Sequence, residues 1–167
     1  MVRAFIGAVT ASFVGLAGFE SAPAVSESME PITVASLAGS WDGQAKFIPA
    51  SGPAEFYKCT MTYAPNVDGS EVKQNLLCKS PQLTKFDAAT ELSIAGEKVT
   101  GKWQDSVSSL NGTVRGTTKD GGFDLVLDSS YFQATMLVVS TGCEQSIKLV
   151  PSDTSDMKEM AVTLRRC

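Results

Sequence analysis

An antiparallel, up-and-down β-barrel of about 8–10 strands is the fold this sequence predicts, and three observations predict it. Apolar residues recur at every second position in about ten short segments, the period of a strand with one buried face. Turns rich in glycine, proline, asparagine and aspartate separate those segments. The four cysteines, Cys59, Cys78, Cys143 and Cys167, fall into two local pairs, as disulfides in a small exported domain do.

The chain opens on an expected export signal. Met1-Val2-Arg3 gives a positive start, Ala4 to Phe19 is apolar and uncharged, and Ser21-Ala-Pro-Ala24 ends in an A-x-A cleavage pattern. That apolar run is shorter than the roughly 20 residues a membrane helix needs, so no stable membrane anchor is expected. Cleavage after residue 24 leaves 143 of the 167 residues, a usual size for one domain. Residues 25–36, VSESMEPITVAS, then read as a polar, flexible N-terminal arm, and 37–167 as the single barrel domain.

The strands follow in order. Leu37-Ala-Gly-Ser-Trp41 starts the first. In EFYKCTMTY, Tyr57, Cys59, Met61 and Tyr63 share one face; in EVKQNLLC, Val72, Leu76 and Cys78 do. Leu92 with Ile94 and Val99, Gly101 with Trp103 continue the pattern, then Leu110, Gly112, Val114 and Gly116. Phe123, Leu125 and Leu127 come next, followed by Phe132, Ala134, Met136 and Val138. Cys143, Gln145, Ile147 and Leu149 precede the last set, Met160, Val162 and Leu164. A modest helical or single-turn candidate spans Ser152 to Glu159.

Cys59–Cys78 and Cys143–Cys167 are the expected bridges. Each closes a loop of about 20 residues and constrains the unfolded chain by roughly 3 kcal/mol. With no histidine and no Cys-x-x-Cys, a zinc site is not expected, nor any cofactor. The net charge of −4 survives loss of the leader, which removes Arg3 and Glu20 together. Such mild acidity argues against nucleic acid as a partner and against anionic membrane surfaces.

Catalytic readings fail by absence. A Ser-His-Asp or Cys-His system needs the missing histidine. Among the carboxylates Asp42, Glu55, Asp105, Asp124 and Asp128, no spacing singles out a glycosidase-like pair. The expectation is a protein that is not an enzyme. Asn111-Gly-Thr113 fits the N-glycosylation pattern but reads as a strand residue beside a small glycine. The glycines at 101, 112 and 116 mark either curvature, the favoured reading, or a hollow for a ligand.

Gly39-Ser-Trp41 on the first strand and Arg165-Arg166 on the last resemble the lipocalin arrangement, in which an indole closes one barrel end and an arginine lies against it. An arginine stacked on an indole contributes about 0.5–2 kcal/mol. A second Gly-x-Trp, Gly101-Lys-Trp103, leaves open the simpler reading that both tryptophans plug the core. Leu37-Ala-Gly-Ser-Trp41 with Cys59 and Cys78 also resembles the bacterial inhibitors of secreted metalloproteases. That resemblance implies an N-terminal arm, here within residues 25–36, that enters a protease cleft; Cys143 and Cys167 depart from it. The Gly-x-Trp, the cysteine pair and the terminal Leu164-Arg-Arg166 are similar to a group of small exported alphaproteobacterial proteins of unassigned function.

Two functions are therefore expected. In the first, an exported lipocalin-like barrel, periplasmic or extracellular, holds a small apolar molecule against Tyr57, Met61, Trp103, Phe132 and Met136. In the second, the arm binds a secreted or periplasmic protein, for example a protease. An open interior favours the first and a filled one the second.

Overall fold

The computed structural model describes residues 33–82, 85–152 and 156–167; the expected leader and residues 25–32 of the arm lie outside the described residues. Ten antiparallel strands form the barrel. They are β1 (Gly39–Pro49), β2 (Glu55–Pro65), β3 (Glu71–Lys79), β4 (Lys85–Ala95) and β5 (Lys98–Asp105). The second half is β6 (Asn111–Lys119), β7 (Gly122–Ser129), β8 (Gln133–Thr141), β9 (Glu144–Pro151) and β10 (Met157–Arg165). Each strand pairs with its sequence neighbours, and β1 pairs with β10 to close the sheet. Closure leaves no unpaired strand edge to recruit another chain.

The two-residue period decides which face is inside. Along β2 the buried side chains are Tyr57, Cys59, Met61 and Tyr63, and along β8 they are Ala134, Met136, Val138 and Ser140. Cys59 lies directly opposite Cys78 in the β2–β3 ladder, and the two are bridged within the core. Cys143, in the β8–β9 turn, is bridged to the terminal Cys167. Both expected pairings are present.

The ends of the barrel differ. At one end the β4–β5, β6–β7 and β8–β9 connections each hold two residues, with Gly96, Gly121 and Gly142 at positive φ. At the other end most connections hold five residues. The short-turn end is plugged by a 3-10 helix, Val34–Leu37, whose Leu37 is buried in the core. The last residues of the expected flexible arm, Val34 to Ser36, are thus part of the folded cap.

One expectation changes, and one open alternative is decided. Of the helical candidate at 152–159, Met157 to Glu159 belong to β10, where Met157 pairs with Pro49 and Glu159 with Ile48. A short polar stretch is a poor isolated helix, and the ladder to β1 satisfies its backbone. The glycines of β6 mark close strand approach, not a hollow. A Cβ on Gly112 or Gly116 would fall 2.0 or 2.1 Å from the carbonyl oxygen of Asp128 or Asp124 on β7, and Gly101 meets Glu91 of β4 in the same way.

Candidate ligand cavity

The plugged end shows how the sequence closes a barrel. Trp41, with no exposed surface, donates its indole N–H to the Leu37 carbonyl at 3.0 Å, tying the strand to the plug. The Arg166 guanidinium lies 4.4 Å from the centre of that indole. It also donates to the carbonyls of Ser36 and, at 3.2 Å, Gly142. Its own backbone N–H donates to Cys143 at 3.1 Å. Arg166 therefore pins the 3-10 helix, the β8–β9 turn and the indole together, and the adjacent Cys143–Cys167 bridge holds it there. Arg165 faces outward instead and pairs with Glu144, a solvent-exposed ion pair worth little.

Beneath this cap the interior is filled. Phe123, Leu125, Val138 and Leu164 are fully or almost fully buried. A buried polar chain crosses it: the Tyr63 hydroxyl donates to Gln145 at 3.0 Å, and the Gln145 amide donates to Ser140 at 2.8 Å. Burial, only partly opposed by the Gln145 bond, raises the Tyr63 pKa well above its usual value.

The end with the longer loops is different. It holds a cavity of about 560 Å³, within the usual range for small-molecule sites. Its walls are mostly apolar: Met61, Leu76, Trp103, Leu127, Met136 and Met160 among them. Phe47, Phe86, Phe132 and Met157, all partly buried, also line it. Trp103 and Phe132 tilt against each other with ring centres 5.7 Å apart. Phe56, Val107 and Tyr131, at this same end, stay exposed. A ten-stranded barrel is wider than an eight-stranded one, so side chains that fill the smaller barrel leave space in this one.

Four of the five residues expected to line a ligand site, Met61, Trp103, Phe132 and Met136, stand around this cavity. Tyr57 does not. Its ring is screened by Phe47, edge-on at 6.5 Å, and by Phe86 at 5.5 Å. Its hydroxyl donates to Glu55 at 2.6 Å. Burial, then that bond and the Glu55 charge, push its pKa up to about 12.

Of the five carboxylates weighed for catalysis, Asp105 alone lines the cavity. Partial burial works against its charge. Hydrogen bonds from the Ser108 side chain and from the backbone N–H groups of Asp87, Ser108 and Val107 outweigh that and hold its pKa below the ordinary value. Its oxygens are occupied in folding the β5–β6 loop at the rim.

Sequence reasoning passed over Gln74 and Thr90, which line the cavity and are buried. Their signal was present: Gln74 sits in the inward register between Val72 and Leu76, and Thr90 two residues before Leu92.

No protein-family model matches the chain, and no curated protein matches it significantly. Among solved structures, a de novo designed fluorescence-activating β-barrel is similar over 78% of this chain and 93% of its own, at 14% identity and a TM-score of 0.44.

Proposed function

We propose that this protein is an exported, non-catalytic binding protein that holds a small apolar molecule inside its barrel. The observation that carries this reading is the cavity of about 560 Å³, walled by aromatic and methionine side chains, at the unplugged end of the barrel. Methionine adapts its shape at little cost, and aromatic rings supply area, so such walls suit an apolar guest. Export fits the two disulfides, which persist in oxidising compartments. Among the described residues no helix is long and apolar enough to cross a membrane. The protein-binding alternative, a protease inhibitor acting through its arm, depends mainly on residues 25–32, and no described contact favours it.

The test is native mass spectrometry of the protein purified from its own exporting host. A reproducible extra mass that is released on denaturation is the expected result. Ala88 lines the cavity and is only partly buried, so Ala88→Trp fills space without touching the plugged end. That variant should fold and carry no extra mass. A bare mass for the wild type, or an adduct unchanged in Ala88→Trp, counts against the reading.

A further inference from the structure

We infer that the cavity selects a neutral apolar molecule bearing a hydrogen-bond acceptor, such as a ketone or ester carbonyl, over a plain hydrocarbon or a carboxylate. This rests on the binding function proposed above and names the chemistry of its ligand.

Gln74 on β3 lies directly opposite Thr90 on β4, and Thr90 directly opposite Trp103 on β5. All three line the cavity and are more than nine-tenths buried. They form one row across three neighbouring strands, about 10 Å from end to end at the usual strand spacing. Each can donate: the Gln74 amide, the Thr90 hydroxyl and the Trp103 indole, which has no accepting capacity at all.

None of these donors has a partner. The Trp103 indole nitrogen is buried without an acceptor among the described residues. Neither Gln74 nor Thr90 makes a side-chain hydrogen bond to any described residue. Tyr63, the partner of Gln74 on the neighbouring strand, is by contrast bonded through Gln145 to Ser140. The hydroxyl of Ser80, in the β3–β4 loop and outside the cavity, also lacks a partner among the described residues. Buried polar groups are normally paired, so the adjacent unpaired side chains of Gln74 and Thr90 on the cavity wall mark where an acceptor atom sits. The Trp103 indole nitrogen lies toward Gly112 on β6, where an added Cβ would meet it at 2.7 Å, so Gln74 and Thr90 are the donors open to the cavity.

Charge settles the head group. The described cavity wall contains no lysine or arginine, and its two carboxylates are Asp105 and Asp156. A carboxylate ligand would lose its water, gain no cation and face two like charges. A neutral carbonyl takes the same hydrogen bonds without that penalty.

The test is displacement of the neutral fluorophore N-phenyl-1-naphthylamine by 2-dodecanone, dodecane and dodecanoate. The ketone should displace the fluorophore at a concentration about tenfold lower than the alkane, as two modest hydrogen bonds give. It should also outcompete dodecanoate. In Gln74→Leu/Thr90→Val the preference for the ketone should vanish while fluorophore affinity is kept. In the nitrogen–proton spectrum, the Gln74 side-chain amide signal should shift with the ketone and not the alkane, whereas the Trp41 indole signal, already bonded to Leu37, stays still. Equal displacement by ketone and alkane, strongest displacement by dodecanoate, or a ketone preference that survives in the double variant overturns the inference alone. Failure of the fluorophore to bind saturably overturns the cavity reading and this inference with it.

Discussion

Replacing Trp41 with alanine is expected to cost about 3–5 kcal/mol of stability, the range for truncating a fully buried large aromatic. Three losses combine there. The indole gives up its whole buried surface, its hydrogen bond to the Leu37 carbonyl and its face against Arg166. The 3-10 plug loses two of its ties at once, because Arg166 also holds Ser36. Urea unfolding of Trp41→Ala and Arg166→Met, singly and together, measures this. The two changes should be less than additive, by about 0.5–2 kcal/mol for the arginine–indole contact. A Trp41→Ala loss under 1 kcal/mol, or full additivity, would show that the cap is not a unit.

Removing the Cys143–Cys167 bridge as the Cys143→Ser/Cys167→Ser pair should destabilise the barrel by about 2–5 kcal/mol. The bridge closes a loop of 24 residues and anchors the chain terminus beside Arg166. Its loss therefore frees the arginine as well as enlarging the unfolded ensemble. The Cys59→Ser/Cys78→Ser pair should cost a comparable amount, but from the middle of the β2–β3 ladder and without loosening the plug. Hydrogen exchange separates the two. Loss of Cys143–Cys167 should speed exchange at the Leu37 and Trp41 amides, whereas loss of Cys59–Cys78 should act mainly on β2 and β3. Identical exchange patterns in the two variants would contradict this division of labour.

Much of the architecture was legible because it is local. A strand with one buried face writes a period of two into the chain, and Phe123, Leu125 and Leu127 or Met160, Val162 and Leu164 follow it without exception. The cysteine pairs were legible because each joins segments close in sequence. Strand parity carried further than it was used: with Leu164 inward, Arg165 must point out, which leaves Arg166 to turn back over Trp41.

The cavity was harder to read, since it depends on what the whole barrel fails to fill. Tyr57 has the inward parity of Met61, yet Phe47 from β1 and Phe86 from β4 stand in front of it. The glycines at 101, 112 and 116, for which curvature is favoured over a hollow, let neighbouring backbones approach. Gln74 and Thr90 went unnoticed because a polar residue in an inward register looks like a break in the pattern. Such a break, flanked by apolar residues on the same face, is itself the sequence trace of a lined site.

The measurement that tests the central claim most directly is a fluorescence titration of the folded protein with N-phenyl-1-naphthylamine, excited through tryptophan. Trp103 lies in the cavity wall and Trp41 beneath the opposite cap, so a guest in the cavity sits against Trp103. Saturable one-to-one binding, with probe emission driven from Trp103 and abolished in Ala88→Trp, is the predicted result. A linear, unsaturable response, or equal binding by Ala88→Trp, would contradict the claim that the open end of this barrel is a ligand site.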